Sequence, residues 1–463
     1  MDVIDFNDFQ VTFPEDVEDA LQAAYGSSKW DSIKKALAYP PQETTIRIHT
    51  TQCSPQDAHQ KLSMALNAIN PQLTAQKHAL IHEIIQIPSM HPNTSLKYDY
   101  EKASLIVDRL CGEAVLRGSD IFARGVMCLT AGCSANVSVN ILVDLDHKNL
   151  RGSDLNAHRG RKLFIGVGRT RMSRIEILKA DRGLAVSDIV RVCHNAPPLN
   201  GLESKVFYLQ QFPSAMVGHV IHPQNDDYIL DMCAAPGGKT THMANLMTKG
   251  LIIAVDRSRR KVGALKRLLQ DLGLGKRVIA IHKDSTQLLR LKSLQMAPRP
   301  SIEKLMEMEN SHFRGFYPES FDKILLDPPC SALGLRPRLL HPRDTEALEQ
   351  FVKIQRNLIW CAVRLLKADG VLVFSTCTLH PRENEKMVAY VLETYPFMKL
   401  IAPFENDPNL RFGSKGLDGQ GLSNEQVGLV QRFDPTIDDT IGFFCAKFQK
   451  SMPLEAIVSE EVS

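Results

Sequence analysis

Hydrophobic and polar positions change rhythm along this chain. From about residue 193 onward, short continuous apolar runs alternate with segments whose apolar residues recur at helical spacing. Tyr228-Ile229-Leu230-Asp231, Leu251 to Asp256, Val278 to His282, Phe321 to Asp327 and Val371 to Ser375 are such runs, and each predicts a buried strand. Between them, Val262, Leu265, Leu268, Leu269 and Leu272 share one helical face. Leu348, Phe351, Val352, Gln355, Leu358, Ile359, Ala362 and Leu365 trace a longer helix. A helix through Leu246, a helix from Asn384 to Thr394 and a last strand from Gly442 to Phe448 complete the pattern. Apolar strands alternating with amphipathic helices predict an α/β domain with a parallel sheet covered on both faces. Met296 to Glu319 lacks a clean period and reads as an insertion before the fourth strand.

Two further textures lie upstream. Residues 1–101 mix helical patterns, such as Ala58 to Leu66, with one strand-like run, Thr44-Thr45-Ile46-Arg47-Ile48-His49. Residues 102–192 alternate short apolar runs with glycine turns. These runs are Glu113 to Asp120, Val137 to Val143 and Phe164-Ile165-Gly166-Val167-Gly168, and they predict a small β-barrel. The charged stretch His147 to Lys162 reads as a loop. Residues 193–463 then hold the α/β domain.

Composition changes this picture little. The chain of 463 residues is 44% hydrophobic and 23% charged, ordinary for a globular protein. It has no apolar run of about 18 residues, so no membrane-spanning helix is expected. An acidic N-terminus without an apolar core is not a secretory signal, and a cytoplasmic location is the expectation. The ten cysteines form no C-x-x-C pair, so no metal site is expected and free thiols fit a reducing compartment. A net charge of +3 neither demands nor excludes a nucleic-acid partner.

Chemistry concentrates at the strand ends of the α/β domain. In an open α/β sheet, ligands bind beyond the carboxyl ends of the strands. The first strand runs into Asp231-Met232-Cys233-Ala234-Ala235-Pro236-Gly237-Gly238-Lys239. Glycines there allow close backbone approach, and the next helix offers free N–H groups. The loop is neither G-x-G-x-x-G nor a P-loop. Asp256 ends the second strand, placed for ribose hydroxyls, and Asp284 follows the third, placed for an adenine amino group. Any one of these carboxylates has even odds of being a mere helix cap. Three in sequence point to a nucleoside cofactor.

Two cysteines complete the constellation. Pro328-Pro329 turns the fourth strand into a loop ahead of Cys330, and Ser375-Thr376-Cys377-Thr378 becomes polar as the fifth strand ends. A cysteine on an apolar element is usually core, which is the reading for Cys361 and Cys445. Cys330 and Cys377 fit that reading less well. Two thiols and the Asp327 carboxyl beside a cofactor loop suit covalent chemistry on an electron-poor ring. A thiolate adds to cytosine C6, which makes C5 nucleophilic, and an acidic group at the ring nitrogen stabilises the developing charge.

These residues resemble the Sun-domain family of RNA (cytosine-5) methyltransferases. The likeness rests on Asp231 to Lys239, Asp256, Asp284, Asp327-Pro328-Pro329-Cys330-Ser331, Ser375-Thr376-Cys377-Thr378 and Thr440-Ile441-Gly442-Phe443-Phe444, with Gln211 to Ala215 ahead of them. It implies a Rossmann-like catalytic domain that uses S-adenosylmethionine. It further implies Cys377 as nucleophile, Cys330 as the product-release cysteine and Asp327 as the ring contact. Cys233, Ala234, Ala235, Pro236, Gly237, Gly238, Lys239, Asp256, Asp284 and Asp327 would contact the cofactor. Ala114 to Gly118, Ile121 to Val126 and Phe164 to Gly168 resemble a PUA RNA-binding barrel, and Thr45 to Thr50 resembles the family's RRM-like strand. The combination is similar to the tRNA-modifying branch of the family. That likeness implies a monomer acting on cytosine-72 of the acceptor stem, with the PUA domain holding the CCA end. Arg117, Arg161 and Lys162 are candidate RNA contacts. Alternatives are the same chemistry on rRNA or mRNA, or a silent RNA-binding scaffold. His49, Arg124 and Ala332 depart from the family pattern, Ala332 standing where glycine is usual.

Overall fold

The computed structural model describes residues 3–90, 96–146, 150–155, 159–193, 197, 199, 202–290, 315–404, 410 and 412–453. Most of the insertion expected at Met296 to Glu319, and part of the loop expected at His147 to Lys162, lie outside them.

The largest sheet contains the predicted strands. Its order is Val278–His282, Leu251–Asp256, Tyr228–Asp231, Phe321–Leu326, Leu366–Thr376, Phe443–Lys450 and Met398–Ile401. The first five are parallel. Side chains alternate across it. Leu230, Ile253, Ile324 and Leu372 pack in one core with Val352 and Ile359 of the helix Thr345–Leu365. Ile229, Ile252, Leu325 and Val373 pack in the other with Val262 and Leu265 of the helix Arg259–Asp271. Both helices start at caps legible in sequence: Asp344 accepts from the Ala347 N–H and Ser258 from the Lys261 N–H. The expected all-parallel sheet needs one correction. Phe443–Lys450 runs antiparallel to Leu366–Thr376, and Met398–Ile401 and Gln431–Phe433 pair antiparallel with it. An apolar run specifies burial on both faces, not direction.

A second, four-stranded antiparallel sheet has the order Phe207–Leu209, Glu43–Ile48, Ile84–Pro88, Gln76–Lys77. Ile46, Ile48, Ile85 and Ile87 pack on Ala58, Leu62 and Leu66 of the helix Pro55–Ile69. The chain leaves this sheet after Pro88 and rejoins it at Phe207.

Between those points lie most strands of a seven-stranded sheet, in the order Ile121–Phe122, Leu184–Arg191, Lys162–Thr170, Ser138–Asp144, Ser104–Val107, Val126–Leu129. Val3–Ile4 joins it alongside Lys162–Thr170. The run from Glu113, expected as part of the barrel's strands, is instead the end of a helix, Arg109–Leu116. Asp108 caps it by accepting from the Cys111 N–H. A Cβ on Gly112 would lie 2.4 Å from a Val143 methyl, so glycine lets the helix rest on the strand. The three apolar residues Ala114-Val115-Leu116 are too few for their period to separate helix from strand.

The helices Glu15–Tyr25 and Ser27–Ala38 share a core with the seven-stranded sheet and with Leu333, Leu339, Leu348 and Leu379 of the α/β domain. The four-stranded sheet is tied to the α/β domain by polar contacts. Buried Arg47 donates to Gln210 Oε1 at 2.8 Å and to Thr241 Oγ1 at 2.9 Å. Buried Glu83 accepts through one oxygen from His219 Nε2 at 2.6 Å and His242 Nε2 at 3.1 Å. Glu83, His219 and His242 are, among the described residues, a group that could hold a metal ion. As they stand, both rings donate to the same carboxylate. No helix among the described residues is long and apolar enough to cross a membrane.

Burial holds the pKa of His49 down at about 3 and those of His242, His341 and His380 at about 4. An unfolded histidine titrates near about 6.5. Between those values the unfolded chain binds more protons, so stability is full above about pH 6.5 and falls as the pH drops toward about 4. Thermal melts across this range should show a Tm that declines steadily with acidification; a flat profile would contradict the assignment.

Candidate active site

The strand order reverses between Tyr228–Asp231 and Phe321–Leu326, which opens a crevice at their carboxyl ends. Asp231 closes the first of these strands and is buried. Thr240 Oγ1 donates to it at 2.7 Å, yet burial pushes its carboxyl up to about 7. The loop that follows turns at Gly237, whose φ is +113°. A Cβ there would lie 2.6 Å from Leu265 Cδ1, so both conformation and space require glycine. Gly238 then opens the helix Gly238–Leu246.

The loop separates two cavities. One, of about 480 Å³, is lined by Cys233, Asp256, Asp284, Pro329 and Leu358 among others. That volume lies in the range of small-molecule sites. Asp256 accepts from the Ser258 N–H at 2.8 Å and the Ala235 N–H at 3.3 Å. Asp284 accepts from the Thr286 N–H at 2.9 Å. Two carboxylates facing apolar Pro329, Ile354 and Leu358 fit a ligand that carries hydroxyl and amino donors on a flat ring. The other cavity, of about 280 Å³, is lined by Ala234, Ala235, Pro236, Gly238, Lys239, Asp327, Cys377, Tyr208, Gln211 and Phe443 among others. The residues grouped by sequence as one cofactor set are thus divided. Asp256 and Asp284 face one cavity, most of the loop faces the other with Asp327 and Cys377, and Cys233 lines both.

Asp327 is held from two sides. Lys239 Nζ lies 2.8 Å from Oδ2, and Ser375 Oγ donates to Oδ1 at 2.9 Å. Burial works against the Lys239 ammonium, but Asp327 outweighs it and raises its pKa. Cys330 and Cys377 lie with their sulfurs 3.4 Å apart. The hydrogen bond from Cys330 lowers the Cys377 thiol against its burial and the charge of Asp327, with Lys239 adding to the effect. The same contact and burial hold Cys330 well above its usual value. The pair is asymmetric: Cys377 lines the cavity and its thiol is lowered, whereas Cys330 does not line it and its thiol is raised. Burial raises the thiols of Cys361 to about 11 and Cys445 to about 12, which fits their expected place in the core.

The candidate RNA contacts separate. Arg117 is exposed after the helix Arg109–Leu116. Arg161 is also exposed, and pairs with Asp146 at 2.8 Å. Lys162 is a correction: it is buried, opens a strand opposite Asp144 and donates to the Gly160 carbonyl at 3.1 Å. It is not a surface cation, because the last residue of the charged run is already the first of the strand Lys162–Thr170. None of the three lines either cavity. A separate groove of about 510 Å³ on the seven-stranded unit is lined by Arg109, Leu110, Phe122 and Arg124, with Leu110 and Phe122 exposed.

Sequence reasoning missed Ser375 as a partner of Asp327, and missed Glu383. Ser375 stands beside Thr376-Cys377 and could have been found from the register of adjacent parallel strands. Glu383, in Pro381-Arg382-Glu383-Asn384-Glu385, looks like ordinary acidic charge ahead of a helix and gave no signal.

Residues 218–449 match the family described as 16S rRNA methyltransferase RsmB/F. The chain is 32% identical over 468 residues to the human tRNA (cytosine(72)-C(5))-methyltransferase NSUN6, covering 94% of each chain. It is 30% identical over 442 residues to the tRNA (cytosine(72)-C(5))-methyltransferase of Pyrococcus horikoshii, covering 95% of this chain and 97% of that one. It is also 30% identical over 542 residues to the Arabidopsis thaliana rRNA (cytosine-C(5))-methyltransferase NOP2C, covering 94% and 90%. Among solved structures, the crystal structure of NSun6 from Pyrococcus horikoshii with SFG is similar at a TM-score of 0.72 and 30% identity, over 95% of this chain and 99% of that one.

Ala332, the departure beside the Cys330 loop, has a φ of +59°. A side chain in that left-handed conformation costs about 1 kcal/mol. Ala332→Gly should stabilise the protein by about 0.5–1 kcal/mol, read as a rise in the urea midpoint at unchanged slope.

Proposed function

The chain belongs to the RsmB/F methyltransferase family, and from that premise we propose that it methylates C5 of cytosine-72 in the acceptor stem of tRNA. It is an S-adenosylmethionine-dependent RNA (cytosine-5) methyltransferase. The observation that carries the reading is the asymmetric cysteine pair beside the Lys239–Asp327 clamp, on the wall of a cavity that adjoins the one holding Asp256 and Asp284.

The roles follow from this geometry. The target cytosine enters the cavity lined by Tyr208, Gln211, Asp327, Cys377 and Phe443. A stem base must leave its stack to do so, and a pair near the end of the stem costs less to open than an internal one. The Cys377 thiolate forms a bond to C6, and the displaced electron pair moves toward N3. Asp327, with the Lys239 ammonium bound to it at 2.8 Å, orients the ring and stabilises that charge. Cys233, Asp256 and Asp284 would hold S-adenosylmethionine, which would supply the methyl group to C5 and leave as S-adenosylhomocysteine. The C5 proton then leaves, the electrons of the C5–H bond form the C5–C6 double bond, and the C6–S bond breaks to return the Cys377 thiolate. Cys330, in contact with that sulfur, assists this release.

The flanking sheets suit RNA handling. The four-stranded sheet, entered at Glu43–Ile48 and completed at Phe207–Leu209, reads as an RRM-like unit interrupted by the seven-stranded PUA-like unit. The groove with Leu110, Phe122 and Arg124 offers apolar and cationic surface for the unpaired CCA end, and exposed Arg117 offers a nearby cation. The protein acts as a monomer in the cytoplasm in this reading. The similarity to NOP2C favours a second reading, the same reaction on rRNA.

Methyl transfer from labelled S-adenosylmethionine should go to total tRNA rather than rRNA. Sequencing should place the 5-methylcytosine at position 72. Cys377→Ala should lose activity by more than about a thousandfold. Cys330→Ala should accumulate a denaturation-resistant protein–RNA adduct. Activity surviving in Cys377→Ala would overturn the nucleophile assignment, and preferential labelling of rRNA would favour the second reading.

A further inference from the structure

The two cysteines come from different loops, and the sheet alone does not hold them together. Cys330 lies four residues beyond Phe321–Leu326, and Cys377 one residue beyond Leu366–Thr376. The pairing between these strands ends at Leu326 and Phe374. Beyond that point, and beyond the Ser375–Asp327 bond, a pair of consecutive buried residues, Glu383 and Asn384, braces both loops.

Glu383 grips the flanks of Cys330. Its Oε1 accepts from the Ser331 N–H at 3.0 Å and from Gln355 Nε2 at 2.9 Å, and its Oε2 accepts from Ser331 Oγ. Gln355 Nε2 also donates to the Pro329 carbonyl at 3.0 Å. The polar groups on either side of Cys330 are thus fixed to one carboxylate and its partner. Ser331 Oγ continues to Thr378 Oγ1 at 2.6 Å, across to the other loop. Asn384 does the matching work for Cys377. It accepts from Thr376 Oγ1 at 2.6 Å and donates to the Thr378 carbonyl at 3.0 Å. The Gly334 N–H adds a bond to the Cys377 carbonyl at 3.0 Å.

A buried carboxylate among neutral donors is costly. Its charge also works against both thiolates, since it raises the Cys330 and Cys377 thiols alike. Thiol activation therefore does not account for it. Geometry does: three donors converge on Glu383, and an ionised carboxylate is acceptor-only through both oxygens. A glutamine would turn an N–H₂ toward Ser331 or Gln355.

We propose that Glu383 is a positioning residue for product release, holding Cys330 against Cys377 after the methyl group has moved. This rests on the two-cysteine reading above. Cys377 keeps its own supports in Asn384 and Gly334, so losing Glu383 loosens the release cysteine more than the nucleophile.

The test compares Glu383→Gln, Glu383→Asp and Ser331→Ala with wild type and Cys330→Ala, using tRNA and labelled S-adenosylmethionine. In Glu383→Gln, methyl transfer in a single turnover should stay within about threefold of wild type, and steady-state turnover should fall at least about tenfold. The protein–RNA adduct should accumulate as in Cys330→Ala. Glu383→Asp should recover part of the turnover. Ser331→Ala, which removes the bridge while leaving the carboxylate, should show the same split more weakly and decides the matter if Glu383→Gln does not fold. Equal loss of the first turnover and steady state in folded Glu383→Gln, or full activity in it, would overturn the proposal. If Cys330→Ala itself fails to accumulate adduct, the two-cysteine reading falls and takes this inference with it. Adduct in Cys330→Ala alone overturns only the role of Glu383.

Discussion

Five parallel strands that end nearly in step constrain everything at this site. Asp231 pairs in register with Leu325, and Leu326 with Phe374, so Asp231, Asp327 and Ser375 end three neighbouring strands at one edge. Ser375 Oγ reaches Asp327 only because of that alignment. A shift of one residue would turn Ser375 to the other face of the sheet. Lys239 reaches the same carboxylate from the first turn of the helix after the Gly237 turn. The pair is partly buried, where ionic attraction exceeds its value in water but desolvation offsets much of the gain. Its value lies in fixing Asp327 beside Cys377 rather than in stability.

The four-stranded sheet bears on the same helix. Arg47 donates to Thr241 Oγ1, and Glu83 meets His242, both on Gly238–Leu246, the helix that carries Lys239. Arg47 and Glu83 are buried, and their side-chain hydrogen bonds run to catalytic-domain or adjoining residues. Removing one partner of such a contact strands a buried charge, which costs more than the contact itself contributes. A sheet that holds no catalytic group therefore still shares in positioning one.

Much of this was legible in sequence because local chemistry and global fold agree there. Tyr228–Asp231, Leu251–Asp256 and Val278–His282 are strands as read, since runs rich in Ile and Val that alternate with amphipathic helices favour that state. The candidate site residues meet at one sheet edge because strand ends place them there by topology. The failures have two causes. Strand direction for Phe443–Lys450 and the work of Glu383 are set by contacts far along the chain, whereas the helix at Arg109–Leu116 starts at a local cap and Lys162 opens a strand inside a charged run. Glu383 and Ser331 stand 52 residues apart, and no period or motif reports such a meeting.

The first forty residues are finished by the last third of the chain. Thr12 pairs with Leu340, Tyr25 Oη donates to the Leu379 carbonyl, and Arg336 donates to the carbonyls of Tyr39 and Pro40. Their apolar faces close on Leu333, Leu339, Leu348 and Leu379. During synthesis these helices emerge with Trp30, Ile33 and Leu37 lacking the surfaces that later cover them. The seven-stranded sheet supplies much of that cover, and Leu333, Leu339, Leu348 and Leu379 complete it only once they have left the ribosome. The N-terminal segment is thus made first and completed last, and a chain truncated before Leu333 would leave that part of its cover missing.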